Sequence, residues 1–174
     1  PPGAASQPGL YQVGVASDTA GLPPAVSNLA VQPQYTSSPS ATATLSVGST
    51  PTAVAINSAT GIAVVTNQAS NDITLINLNT STVVTSICTA SLVAVEPSCP
   101  AAGPTGVAVD NIRNMALVVN GSQNTIALVD LQQQKVTAIL NPATVINNSS
   151  LAQVPTSVGI NPVTGRAIVV YKGA

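Results

Sequence analysis

The sequence predicts an all-β fold built from four-stranded antiparallel blades, and three observations carry that expectation. The stretch PTAVAINSATGIAVVTNQASNDITLINL at residues 51–78 returns as PTGVAVDNIRNMALVVNGSQNTIALVDL at residues 104–131, and a third copy opens at Pro155 with PTSVGINPVTGRAIVVYKGA. Each copy breaks into short runs of β-branched and aliphatic residues bounded by Gly, Asn, Ser and Thr, which is the composition of strands joined by tight turns. Helical spacing is not sustained over any useful window.

The first two copies align without a gap at an offset of 53, residues 51–87 against 104–140. Pro51 meets Pro104, Val54 meets Val107, Ala63 meets Ala116, Asn67 meets Asn120, Ile73 meets Ile126, Leu78 meets Leu131 and Val83 meets Val136. In the first copy the strand candidates are TAVAIN, GIAVVTN, DITLINL and TVVTSIC, and in the second they are TGVAVD, NMALVVN, TIALVDL and KVTAIL. Four strands per repeat make one blade, and repetition on this scale is the signature of a solenoid or a propeller. The prolines fall where each inner strand begins, a place where a missing N–H is tolerated. Asn67 and Asn120 close the second strand, where an amide side chain satisfies turn backbone groups and accepts a left-handed conformation.

The order Pro, Val-Ala-Val, Asn or Asp, Gly, Val-Val-Thr-Asn, Asn-x-Ile, Leu-Ile/Val-Asn/Asp-Leu resembles the YVTN family of β-propeller repeats, relatives of the NHL and surface-layer-type propellers. AVVTN at residues 63–67 and LVVN at residues 117–120 occupy the place of the namesake motif, with Ala63 and Leu117 in place of its Tyr. The third copy departs further, since Tyr171 stands where Asn67 and Asn120 stood. The resemblance covers about residues 41–172 and implies propeller blades over that span.

A propeller removes its sheet edges by closing a ring of about four to eight blades. The expected count here is two complete blades, residues 51–87 and 104–140, and a half blade at residues 155–172. SATATLSVG, just ahead of Pro51, matches a blade's outer strand at residues 41–47, and GLYQVGVAS and AVSNLAVQ are each plausible as a third strand. The two ends would then hold the two halves of one more blade. Copies could complete each other by strand addition, giving a six-bladed ring from two chains or a filament from many. Alternatively the chain is a piece of a longer propeller; with Pro1 in place of an initiator Met, a processed, trimmed or partial chain is expected. Residues 1–40 form a Pro/Ser/Gln-rich arm, read either as an extended linker or, through its interspersed Leu, Val and Tyr, as a segment lying on a surface.

Composition narrows the function. Charged residues make up 5% of the 174, against roughly 25% in an average soluble domain, and the formal net charge is −1. Four Lys plus Arg cannot form the basic face that nucleic acid requires. A net charge near zero favours association, so a homo-oligomer or filament is an expected partner state. No run of about 18 apolar residues is present, so no transmembrane helix is expected. Histidine is absent, which removes the commonest general base and metal ligand. The acids are Asp18, Asp72, Glu96, Asp110 and Asp130. Asp110 and Asp130 are candidates for a shared acidic site or, more plainly, for turn and strand-end duty; with no P-loop and no dinucleotide glycine pattern, neither an enzyme nor a cofactor or metal site is expected.

Cys88 and Cys99 are the only cysteines, with ten residues between them. That spacing, without His, argues against metal or redox duty and for one disulfide, worth on the order of 3 kcal/mol by chain entropy. An oxidising compartment follows, extracellular or at the cell surface. Asn79, Asn120, Asn147 and Asn148 fit the N-glycosylation acceptor pattern, and YTSSPSATAT could carry O-linked sugar, so glycans are a further candidate partner. Two functions are left: a secreted, self-assembling structural subunit, or an extracellular propeller module that binds a protein or polysaccharide.

Overall fold

The computed structural model describes residues 11–15, 25–29, 44–93, 98–142 and 154–172, the first two of these by backbone only. The chain divides into two units, Pro1–Thr42 and Ala43–Ala174. In the second unit, β3 (Pro51–Asn57), β4 (Ile62–Asn67), β5 (Asp72–Asn77) and β6 (Thr82–Cys88) form one four-stranded meander. A second meander holds β7 (Pro104–Asp110), β8 (Met115–Asn120), β9 (Thr125–Asp130) and β10 (Lys135–Leu140). A two-stranded sheet of β11 (Pro155–Asn161) and β12 (Arg166–Tyr171) follows. All pairings are antiparallel, as the repeat predicts.

In the first unit, β1 (Tyr11–Val15) and β2 (Ala25–Leu29) pair antiparallel as a hairpin of their own. The sequence offered each of them separately as a third strand beside an outer strand at 41–47. Residues 44–48 lie outside any strand. Just downstream, the carbonyls of Ser49 and Thr50 accept from the amides of Ala69 and Gln68, so the chain immediately ahead of Pro51 prolongs the β3 edge of the β4–β5 turn. The same extension recurs as Gly121 N to Gly103 O and Lys172 N to Val154 O.

Turns set the register. Asn57, Asn77, Asp110, Asp130 and Asn161 each end a strand, and the Oδ1 of each accepts from the backbone amides two and three residues ahead, at 2.8–3.3 Å. These side chains mimic a backbone turn, which is why only Asn or Asp stands there. Four residues after the cap the chain turns left-handed, at Gly61, Ser81, Asn114, Gln134 and Gly165, with φ between 53° and 72°. Only glycine takes that conformation without steric penalty, and Asn is the next most tolerant.

Every inner strand carries a bulge at its second residue. Pro51 pairs with Asn67 but Ala53 with Thr66, Pro104 with Asn120 but Gly106 with Val119, and Pro155 with Tyr171 but Ser157 with Val170. The unpaired residue is Thr52, Thr105 or Thr156. A bulge inserts one extra residue and redirects its side chain. Thr52 thereby donates to the carbonyl of Pro104 at 3.1 Å, and Thr105 to that of Pro155 at 3.0 Å. Each hydroxyl is a rung between one inner strand and the next.

The core lies between the first two sheets. One face of the first, with Val64, Ile73 and Leu75, packs on Val107, Val118 and Val129 of the second. Ala53 and Ala55 edge this cluster from the inner strand, small enough to let β7 approach. Between β7 and β11 the approach is closer still, because a Cβ on Gly106 would stand 3.0 Å from both Ser157 Cα and Thr156 O. Replacing Thr105 with Val keeps the shape and removes the rung. A loss of about 1 kcal/mol is expected, readable as a lower urea midpoint with an unchanged m-value.

Candidate functional site

Among the described residues no group of three or more His, Cys, Asp or Glu could hold a metal ion; the features that distinguish them are the seams between sheets, the disulfide and the β12 edge. Asp110 and Asp130 lie at the same end of the second sheet, both in register with Met115 on opposite sides of it. Each spends Oδ1 on turn amides, which is the plainer of the two sequence readings. Asp110 is buried and its Oδ2 pairs with Arg113 at 2.8 Å, while the same guanidinium nitrogen donates to the carbonyl of Pro162 at 2.8 Å. Burial alone would raise the Asp110 carboxyl. The amide, guanidinium and charge of Arg113, with the Ile112 amide, outweigh it and hold the group below its ordinary value. The net effect is a polar tie from the second sheet to the third.

Asn67 and Asn120 differ from the expectation that they serve their turns in a left-handed conformation. Their amide nitrogens reach sideways instead: Asn67 Nδ2 donates to Asp72 Oδ1 at 2.6 Å and to Thr74 Oγ1 at 2.8 Å, and Asn120 Nδ2 to Thr125 Oγ1 and the Thr89 carbonyl, both at 3.1 Å. The left-handed residues are Asn71 and Asn124, four positions further on. Asn71 Oδ1 accepts from the amides of Ala102 and Gly103, both at 3.0 Å, and so clamps the entry to β7 onto the preceding blade. The spacing of two Asn repeats in NQASN and NGSQN, yet among the described residues the clamp is formed by Asn71 and not by Asn124, whose Oδ1 has no partner there.

Cys88 and Cys99 form a disulfide with 5.2 Å between their Cα atoms. It joins the end of β6 to the chain that leads into β7, close to the Asn71 clamp. Of the glycosylation candidates, Asn79 is exposed in the β5–β6 turn. Asn120 is not an acceptor in the folded chain, because it is fully buried and both amide hydrogens are engaged. Asn147 and Asn148 lie outside the described residues, as do Asp18 and Glu96.

The sheet of β11 and β12 stops where the other two sheets continue. β4 and β8 each pair on both sides, with β3 and β5 or with β7 and β9, whereas β12 pairs only with β11 among the described residues. Its ends carry Arg166 and Lys172. Between them the edge has no Pro, charge or bulge to blunt it.

No family model matches the chain, and no curated protein matches it. Solved structures do. Kuenenia stuttgartiensis hydrazine synthase superposes with a TM-score of 0.56 at 16% identity, over 79% of this chain and 33% of that one. The β-propeller domain of Myceliophteria thermophila Cps50 (Swd1) superposes with a TM-score of 0.50 at 15% identity, over 70% of this chain and 32% of that one. The chain thus has a β-propeller fold and spans about a third of the length of these structures. Among the described residues no helix is long and apolar enough to cross a membrane.

Two outcomes are expected. The Asp110 carboxyl has a folded pKa below the ordinary 3.8, so its contribution to stability is complete above that value and lost as pH falls through the folded value. Asp110→Asn keeps the turn acceptor, as Asn57 and Asn161 do, and gives up the charge; in acid titration followed by circular dichroism the wild-type advantage should therefore shrink below about pH 4. Secretion from a glycosylating host, followed by glycopeptide mass spectrometry, should find sugar at Asn79 and none at Asn120.

Proposed function

We propose that this chain is a secreted structural protein, a self-assembling subunit of an extracellular filament, tube or surface layer, and not an enzyme. One observation carries the reading: two four-stranded sheets stand in the chain between two two-stranded ones, β1–β2 toward one end and β11–β12 toward the other. Each two-stranded sheet is half a blade. Joined between copies along the edge of β12 that pairs with no other described strand, they make a whole one. Such strand addition draws its affinity from main-chain hydrogen bonds, which fits a chain with 5% charged residues and little electrostatic means of recognition. The contact is head to tail, so it closes into a ring or runs on as a filament according to the rotation per copy.

The other elements fit this use. YVTN-type repeats supply blades of nearly constant shape. The Cys88–Cys99 disulfide suits an oxidising exterior, and sugar at the exposed Asn79 would hydrate a surface poor in charge. A second reading, an extracellular propeller module recognising a protein or polysaccharide, is favoured by the length comparison, since the chain covers only 33% and 32% of the superposed structures.

Negative-stain electron microscopy separates the two. Filaments or tubes are expected, and they should vanish when residues 1–47 are deleted while circular dichroism still reports the sheets. Closed rings made of a single chain, or monomers indifferent to the deletion, would instead support the binding module.

A further inference from the structure

The two outer faces of the blade stack repeat its buried seams. Across the seam from the first blade to the second, the leaving face presents Ala53 and Ala55 from the inner strand and Val64 from β4, and the arriving face presents Val107 and Val109. Register places Ser157, Gly159, Ile168 and Val170 on the leaving face of the β11–β12 sheet, in the positions of Ala53, Ala55, Val64 and Thr66. Val64 and Thr66 are fully buried, yet Ile168 is 70% exposed and Val170 53%. On the arriving face of the first blade, Val54 and Ile56 hold the positions of Val107 and Val109. Val54 is 62% exposed where Val107 is 9%.

The same gap appears in the polar rungs. Thr156 sits at the bulge as Thr52 and Thr105 do, but its hydroxyl donates to Val170 O of its own sheet at 3.2 Å and reaches no following inner strand among the described residues. Pro51 likewise offers a carbonyl that receives no threonine among the described residues, unlike those of Pro104 and Pro155. Small residues on one face thus await branched ones, and a donor awaits an acceptor. Both complements are present in this chain.

We propose that a second copy of this chain docks head to tail by setting its β3 face on the β11–β12 face, with Val54 and Ile56 against Ser157, Gly159, Ile168 and Val170, and Thr156 donating to the neighbour's Pro51 carbonyl. The occupant follows from continuity: the surface is the blade seam already made twice within the chain, carried across to the next copy. This rests on the self-assembly reading and adds to edge pairing a specific face. Stacking the next copy's first blade here places its Pro51 where a fourth inner strand would stand.

The test uses full-length chains carrying Ile168→Asp or Val54→Asp, with Val163→Asp, 79% exposed in the β11–β12 turn, as control. Circular dichroism and thermal unfolding confirm folding, and native mass spectrometry and light scattering read the mass. Wild type and the Val163 variant should assemble, each face variant alone should be monomeric, and an equimolar mixture of the two should give a two-chain complex and nothing larger, because one intact face remains on each. Thr156→Val should weaken assembly several-fold. Assembly of wild type and of both face variants alike would overturn this interface while leaving self-assembly standing. A monomeric wild type would overturn both, with the faces then covered by other blades. Loss of assembly in only one face variant, or dissociation of the control, would also sink the head-to-tail pairing.

Discussion

The threonine bulge at the second residue of each inner strand is the constraint on which the rest depends. A regular strand would seat that side chain on one face of its own sheet. The extra residue instead turns the hydroxyl toward the carbonyl of the following proline, so each sheet begins at a fixed height relative to the last. With that height fixed, the small residues after the bulge face branched ones across the seam. The core of Val64, Leu75, Val107 and Val129 fills what lies between. Proline is suited to the acceptor position, since it offers a carbonyl and has no N–H to satisfy.

Much of this was legible in the residues. Blade boundaries, strand order and the Pro-first inner strand followed from the 53-residue repeat, and the lone cysteine pair announced its bridge. Tyr171 does stand opposite Pro155 where Asn67 and Asn120 stand opposite their prolines. Other features were hidden because they depend on which way a side chain leaves the backbone. Nothing in the dipeptide Pro-Thr distinguishes a bulged threonine from a paired one, so the rungs were missed. Asn67 and Asn120 end strands where the sequence predicts turn service, whereas residues of the next strand, and for Asn120 the Thr89 carbonyl, draw their amides sideways. The acceptor motif at Asn120 matches in sequence while its side chain is fully buried, which no short pattern encodes. Of the outer strand expected at residues 41–47, residues 44–47 lie outside any strand, and the chain that follows them at Ser49 and Thr50 prolongs β3 along the β4–β5 turn.

The seam between the first two blades is held by several kinds of bond at once. The threonine rung lies near the start of the inner strands, Asn57 Nδ2 meets Asn114 Oδ1 at 2.7 Å near their ends, and the Asn71 clamp and the disulfide fasten the connecting chain. The next seam has Thr105 and the Arg113 contact to Pro162, and no bridge. Opening is therefore expected to begin at the third sheet, whose residues are also the more exposed. A half blade that loosens first is suited to exchange partners.

The rung joins a short hydroxyl to a main-chain oxygen, and that choice has an evolutionary consequence. A side-chain acceptor would have to be preserved in matched pairs, so every duplicated unit would need its own compensating change. A carbonyl is supplied by any proline at that place, whatever surrounds it. A gene segment copied in tandem would encode a product that fits its parent from the first generation, and drift in the remaining positions could follow without breaking the join. Arrays of differing length can then arise by unequal crossing-over alone.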